Sequence, residues 1–213
     1  MSNYACIFAG GFYGTFLVYF INQHEGFSKG EFVANKKHWS DEKLSEDKPV
    51  HLNMPKHSYY YKPHMSHVEK FKGQVELLDW DKFRAQHDCE KLAFKPVPHH
   101  YDMFDDEYCD HLQEKAWLIV CNFEKKKEHA IKRVRKYGLY DDDTAENYVR
   151  DQNENALALA RRRGAFLLDM SSLMNCDIRT YGVLCQYLKT KPLDGWQTLV
   201  NDHKELIGYN EFE

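Results

Sequence analysis

Apolar positions fall along the chain in two arrangements, unbroken runs and helical spacings, and the two alternate. Tyr4-Ala5-Cys6-Ile7-Phe8-Ala9 is an unbroken run ending at a glycine pair, the pattern of a strand buried on both faces. Beyond Gly14, residues Phe16, Leu17, Phe20 and Ile21 recur at helical spacing, predicting a helix that starts near Thr15. Val50, Leu52 and Met54 alternate with His51 and Asn53, which predicts a second strand. The polar stretch from Phe27 to Lys48 shows no period. Between positions 57 and 90 only Val68, Phe71 and Val75 hold helical spacing, beside the cluster Tyr59-Tyr60-Tyr61. A third strand is expected from Lys91 to Lys95, stopping at Pro96. Ala116-Trp117-Leu118-Ile119-Val120-Cys121 is apolar enough to be a central strand.

The remainder reads more plainly. Ala130, Ile131, Val134 and Tyr137 define one helical face, with most of the basic residues of 125–133 on others. A second helix is expected from Asp143, with Glu146 three residues on as in a capping box. It ends with Arg161-Arg162-Arg163 near the negative helix terminus and Gly164 as the residue past the cap. Ala165 to Met170 form another apolar strand. Ile178, Tyr181, Cys185 and Leu188 line a helix, and Trp196, Leu199, Val200, His203 and Leu206 line the last one.

Strands alternating with helices imply a mostly parallel central sheet flanked by helices, an α/β class of the P-loop-type three-layer α/β/α kind. No linker or repeat divides the chain, so residues 1–213 form a single domain. In such sheets ligands sit beyond the carboxyl ends of the strands. That places residues 10–15, 96–101 and 122–127 nearest any active site.

Composition sharpens this picture in three respects. A hydrophobic share of 43% supports a sizeable core. A formal charge of −4 argues against nucleic acid as the main partner. Six cysteines without a C-x-x-C pair, four of them in apolar patterns, read as buried thiols in a reducing compartment. The apolar start lacks a basic leader and contains Gly10-Gly11, so it is not expected to be a signal peptide. No run is long enough to cross a bilayer. A cytoplasmic protein without membrane association is the expectation.

The candidate chemistry starts at Gly10-Gly11-Phe12-Tyr13-Gly14-Thr15, which joins the first strand to the first helix. Glycines let successive backbone N–H groups turn towards an anion, the helix dipole adds positive potential, and Thr15 offers a hydroxyl. The Walker A spacing is met only loosely: Ala9 stands at its first glycine and Thr15 at its lysine. A conventional ATPase or GTPase is therefore not expected.

Residues 7–17, Ile-Phe-Ala-Gly-Gly-Phe-Tyr-Gly-Thr-Phe-Leu, resemble the 5′-phosphosulfate loop of P-loop sulfotransferases. Phe166-Leu167-Leu168-Asp169-Met170-Ser171-Ser172-Leu173 is similar to that family's strand followed by "Tyr-Glu-Asp-Leu", and Cys185-Gln186-Tyr187-Leu188 to its "Cys-x-Phe-Leu". The resemblance covers about half the chain and identifies a compact, divergent member. It implies sulfuryl transfer from 3′-phosphoadenosine 5′-phosphosulfate to a hydroxyl or amine on a small-molecule or glycan acceptor. Gly10, Gly11, Phe12, Tyr13, Gly14 and Thr15 would then hold the 5′ end of the donor. Where the family carries a loop Lys or Arg, this chain has Gly11 and Phe12. Where it carries Arg and Ser for the 3′-phosphate, this chain has Asn122 and Ala130, with Lys125, Lys126 and Arg133 as substitutes. The departures leave a second expectation, a non-catalytic nucleotide-binding or assembly module. A kinase-like phosphotransferase is a third, and it lacks a loop lysine paired with a magnesium carboxylate.

Sulfuryl transfer needs a base for the acceptor proton. Within the resemblance, His99 or His100 takes that role, following the strand that ends near Lys95, with Lys95 steadying the bridging oxygen. His64, in Lys62-Pro63-His64, is the alternative. The pairs His64/His67 and His99/His100 lack a third ligand at a recognisable spacing, so no metal site is expected.

Overall fold

A computed structural model describes residues 2–27, 90–94, 106–114, 116–136, 142–206 and 209. Among the described residues, four strands form one parallel sheet in the order β2-β1-β3-β4: β1 Ser2–Ile7, β2 Lys91–Phe94, β3 Trp117–Asn122 and β4 Phe166–Asp169. Tyr4 pairs with Trp117, Ile7 with Val120, and Asn122 with Asp169. The two strands with the longest apolar runs are thus neighbours at the centre. Tyr4, Ala5, Cys6, Ile7 and Leu118 to Cys121 are all buried, as parallel strands covered on two faces must be.

The helices are α1 Gly14–Asn22, α2 Asp106–Gln113, α3 Lys127–Lys136, α4 Asp142–Arg163, α5 Met170–Met174, α6 Ile178–Leu188 and α7 Trp196–Leu206. From Phe16 to Asn22 every residue of α1 is buried, so this helix lies within the core rather than on it. Its last residue closes the outer edge of β2: Asn22 Nδ2 donates to the Ala93 carbonyl at 2.9 Å and Asn22 Oδ1 accepts from the Ala93 N–H at 3.1 Å. One side chain thereby satisfies both backbone groups of a strand residue, which buried backbone requires.

A second buried network joins α1 to α6. His24 Nδ1–H faces the Phe20 and Ile21 carbonyls at 3.2 and 3.1 Å, which leaves Nε2 to accept from the Tyr181 hydroxyl at 3.0 Å. The Leu193 N–H donates to that same hydroxyl. Burial holds the His24 imidazole below its ordinary pKa, although the two carbonyls oppose the shift. Lys91 closes the far end of α6 by donating to the Leu188 carbonyl at 3.0 Å, a cation at a helix C-terminus.

Several boundaries differ from expectation. The first strand ends at Ile7, because Phe8 and Ala9 are buried by the turn that follows rather than by pairing. Helix α1 opens at Gly14, one residue before Thr15. Helix α4 already contains Asp142, so Asp143 lies in its first turn and is not its cap. The terminus of α4 follows the sequence: Gly164 has φ +59° and the Ala165 N–H returns to the Ala160 carbonyl at 3.0 Å. The strand expected through Met170 stops at Asp169, whose side chain accepts from the Ser171 N–H and starts α5. Helix α2 was not anticipated. The strand expected near Val50 to Met54 lies outside the described residues.

Candidate functional site

Because the strands are parallel, Ile7, Asn122 and Asp169 end at the same edge, and β1 and β3 flank the point where the strand order reverses. Ligands of doubly wound sheets bind at such a point. The turn after β1 and the loop after β3 are therefore brought together, as residues 10–15 and 122–127 were expected to be.

The turn is tightly packed. The Phe12 N–H donates to the Ala9 carbonyl at 3.2 Å, closing a β-turn. Gly11 has φ +87°, and a Cβ there would stand 2.8 Å from Val134 of α3. A Cβ on Gly14 would fall 1.9–2.2 Å from the Phe8 ring, so glycine permits the close approach of β1's end to α1's start. Gly10 lies against Tyr148 of α4, whose hydroxyl would be 3.3 Å from an added Cβ. Tyr13 caps α1 from the left-handed region at φ 57°, without a side-chain capping bond. Its ring carries the Arg133 guanidinium at 4.1 Å and packs against Phe123, His203 and Tyr209 at 5.6, 6.2 and 5.7 Å. Phe12 is buried against Phe123 at 6.0 Å. Thr15 is the second residue of α1.

The loop after β3 is held from α4, where Asn153 Oδ1 accepts from the Phe123 N–H at 2.8 Å and Nδ2 donates to the Phe123 carbonyl at 3.1 Å. Asn122 is buried. Its Nδ2 donates to Glu124 at 3.3 Å, while its Oδ1 has no hydrogen-bond partner. Lys125 is exposed, and its ammonium donates to Ser172 Oγ at 2.9 Å. The Ser172 hydroxyl in turn donates to Asp169 Oδ2 at 2.8 Å, and Ser171 Oγ donates to Asp169 Oδ1. Asp177 stands near enough for Lys125 to help depress its pKa, after the stronger effect of the Arg179 and Thr180 N–H groups. The Lys126 carbonyl accepts from the His129 N–H at 3.0 Å, turning the chain into α3.

Of the residues singled out from the sequence, Gly10, Gly11, Phe12, Tyr13, Gly14, Asn122, Lys125 and Arg133 share this corner of the sheet edge or its immediate packing. Lys126 lies in the turn that leads into α3. Lys95, His64, His99 and His100 lie outside the described residues. Nothing in the sequence marks Ser172 and Asp169 as partners of Lys125, Asn153 as the clamp on the β3 loop, or Tyr209 as the ring on Tyr13. Among the described residues no group of His, Cys, Asp and Glu is placed to hold a metal, and no helix is long and apolar enough to cross a membrane. The five described cysteines form no disulfide. Burial raises the thiol pKa of Cys6, Cys121 and Cys185, which removes them as nucleophiles at neutral pH.

This corner therefore offers a tethered ammonium, a buried amide oxygen, the Asp169 and Asp177 carboxylates and a glycine turn at a helix start. No family model matches the chain, and no curated protein or solved structure was found similar to it.

Proposed function

We propose that the chain is a sulfotransferase-type group-transfer enzyme of the cytoplasm. It binds a phosphosulfate nucleotide at the β1–α1 turn and passes the sulfuryl group to a hydroxyl or amine of a small-molecule or glycan acceptor. One observation supports this reading above others: the glycine turn follows β1 and the loop that carries Lys125 follows β3, the two strands that flank the reversal of strand order. In this reading the N–H groups of Gly10, Gly11 and Gly14 face the donor's 5′ end, and Lys125 balances charge on the transferred group. Arg133, stacked on Tyr13, lends positive potential. His99 or His100 takes the acceptor proton, with Lys95 beside the bridging oxygen, and His64 is next in order.

The test is titration calorimetry with adenosine 3′,5′-bisphosphate, followed by turnover with the phosphosulfate donor. Saturable binding that Lys125→Ala weakens about tenfold is expected, the loss of one charged hydrogen bond. Replacing the base should lower turnover by ~10²–10⁴ while sparing donor affinity. Full turnover in both His99→Ala and His100→Ala moves the role to His64. A second reading, a binding or assembly module without catalysis, has its own support: Phe8, Val134 and Tyr148 give each glycine of the turn a packing reason. Absence of both nucleotide binding and turnover selects it.

A further inference from the structure

We propose that the carboxyl ends of β3 and β4 form a subsite for a ligand bearing a hydroxyl or amino hydrogen beside one anionic group, as in a sugar phosphate or sulfate. Asn122 Oδ1 accepts the hydrogen and Lys125 holds the anion. The inference deepens the sulfuryl-transfer reading and rests on it for the subsite's place in the reaction, but not for the binding itself.

Asn122 and Asp169 are register partners on adjacent strands. Their Cα atoms therefore stand about 5 Å apart and their side chains leave the same face. Asp169 leads through Ser172 to Lys125 over hydrogen bonds of 2.8 and 2.9 Å. The Asn122 amide and the chain from Asp169 through Ser172 to Lys125 thus stand at the carboxyl ends of the same two neighbouring strands. Asn122 is 4% exposed, and its oxygen is a buried acceptor without a donor. Such an oxygen is unfavourable in the empty protein and is explained where a ligand supplies the missing hydrogen. The amide nitrogen is already engaged by Glu124, which fixes the amide's orientation and leaves only an acceptor to offer. A phosphate oxygen cannot satisfy it, whereas a hydroxyl or amine can.

The tether on Lys125 has a second consequence. An exposed lysine ordinarily samples many rotamers, and holding it for a ligand loses that freedom on binding. Ser172, fixed by Asp169, removes part of the loss beforehand and leaves two ammonium hydrogens for the ligand. Ser172 and Asp169 are thus positioning residues.

Three probes on the full chain test this: ribose 5-phosphate, inorganic phosphate and ribose, titrated by calorimetry. Ribose 5-phosphate is expected to bind more tightly than inorganic phosphate, and ribose more weakly than either. Lys125→Ala should weaken ribose 5-phosphate about tenfold or more. Asn122→Ala should weaken ribose 5-phosphate several-fold, leave inorganic phosphate unchanged, and leave the melting temperature unchanged or raised. A purely structural asparagine would lose stability instead. Should Asn122→Ala fold poorly, Asn122→Ser carries the same comparison of probes. Ser172→Ala should weaken ribose 5-phosphate, with recovery in Ser172→Thr. Equal affinity of wild type and Asn122→Ala for ribose 5-phosphate overturns the proposal, as does failure of the wild type to bind it. If ribose 5-phosphate binds through Lys125 and Asn122 while adenosine 3′,5′-bisphosphate does not bind, the subsite stands and the sulfuryl-transfer reading falls. If the nucleotide binds and these variants leave ribose 5-phosphate unaffected, the reverse holds.

Discussion

Gly14→Ala asks whether the turn is set by packing between β1 and α1. A methyl on Gly14 would stand 1.9–2.2 Å from three atoms of the Phe8 ring, where ordinary contact is 3.4–4 Å. The ring must therefore retreat by more than an ångström, yet Phe8 is 2% exposed and surrounded by core. Overpacking of this kind costs about 1–3 kcal/mol, and the severity here points to the upper end. At about 2–4 °C per kcal/mol for a chain of this size, the melting temperature should fall by roughly 6–12 °C. Phe8→Ala alone removes a buried ring and should cost about 3–5 kcal/mol. The double variant is the informative one, because the added methyl then enters space that the ring has left. It should be no less stable than Phe8→Ala, a coupling of about 3 kcal/mol against additivity. Urea unfolding followed by far-ultraviolet circular dichroism measures all four proteins. A Gly14→Ala protein within about 0.5 kcal/mol of wild type, or a double variant showing the full sum, would show that packing against Phe8 does not set the turn.

His24 is neutral and buried with a depressed pKa, so the unfolded chain takes its proton first; stability is held above about pH 6.5 and falls below it by up to about 1.4 kcal/mol per unit. Melting temperatures from pH 7.5 to 5 should drop more steeply in wild type than in His24→Gln, and parallel curves would exclude His24 as the cause. Asn22→Ala removes both bonds to the Ala93 N–H and carbonyl, at about 0.5–1.5 kcal/mol each, so chemical unfolding should show a loss of about 1–3 kcal/mol. Lys189 ends α6 in the left-handed region at φ 51°, and Lys189→Gly should raise stability by about 0.5–1 kcal/mol if that strain outweighs its contact with Trp117.

The central strands were legible because Tyr4 to Ile7 and Leu118 to Cys121 are apolar without alternation and are buried on both faces. The ends of elements were less so. Phe8 and Ala9 are as apolar as the strand before them, but a turn buries them. All five residues of α5 are buried, which erases the period that would have marked it as a helix. Among the described side chains of helix α2, the buried apolar ones are Cys109 and Leu112, set among acidic neighbours that hide a helical period. At the site, the glycine turn and Lys125 could be placed by their positions after strands. Their partners could not: Ser172 lies 47 residues from Lys125, and Asp169 reads locally as a strand end. Asn153 sits in the middle of a 22-residue helix, where nothing in its neighbours marks it as the clamp on Phe123.

Binding of a phosphosulfate nucleotide at the turn between β1 and α1 is the core of the proposed function. Amide resonances of the uniformly ¹⁵N-labelled protein, followed while adenosine 3′,5′-bisphosphate is added, test it most directly. Saturable shifts should appear at Gly10, Gly11 and Gly14 and in the loop from Asn122 to Lys126, and should weaken together in Lys125→Ala. An unchanged spectrum, or shifts confined to other parts of the chain, would contradict it.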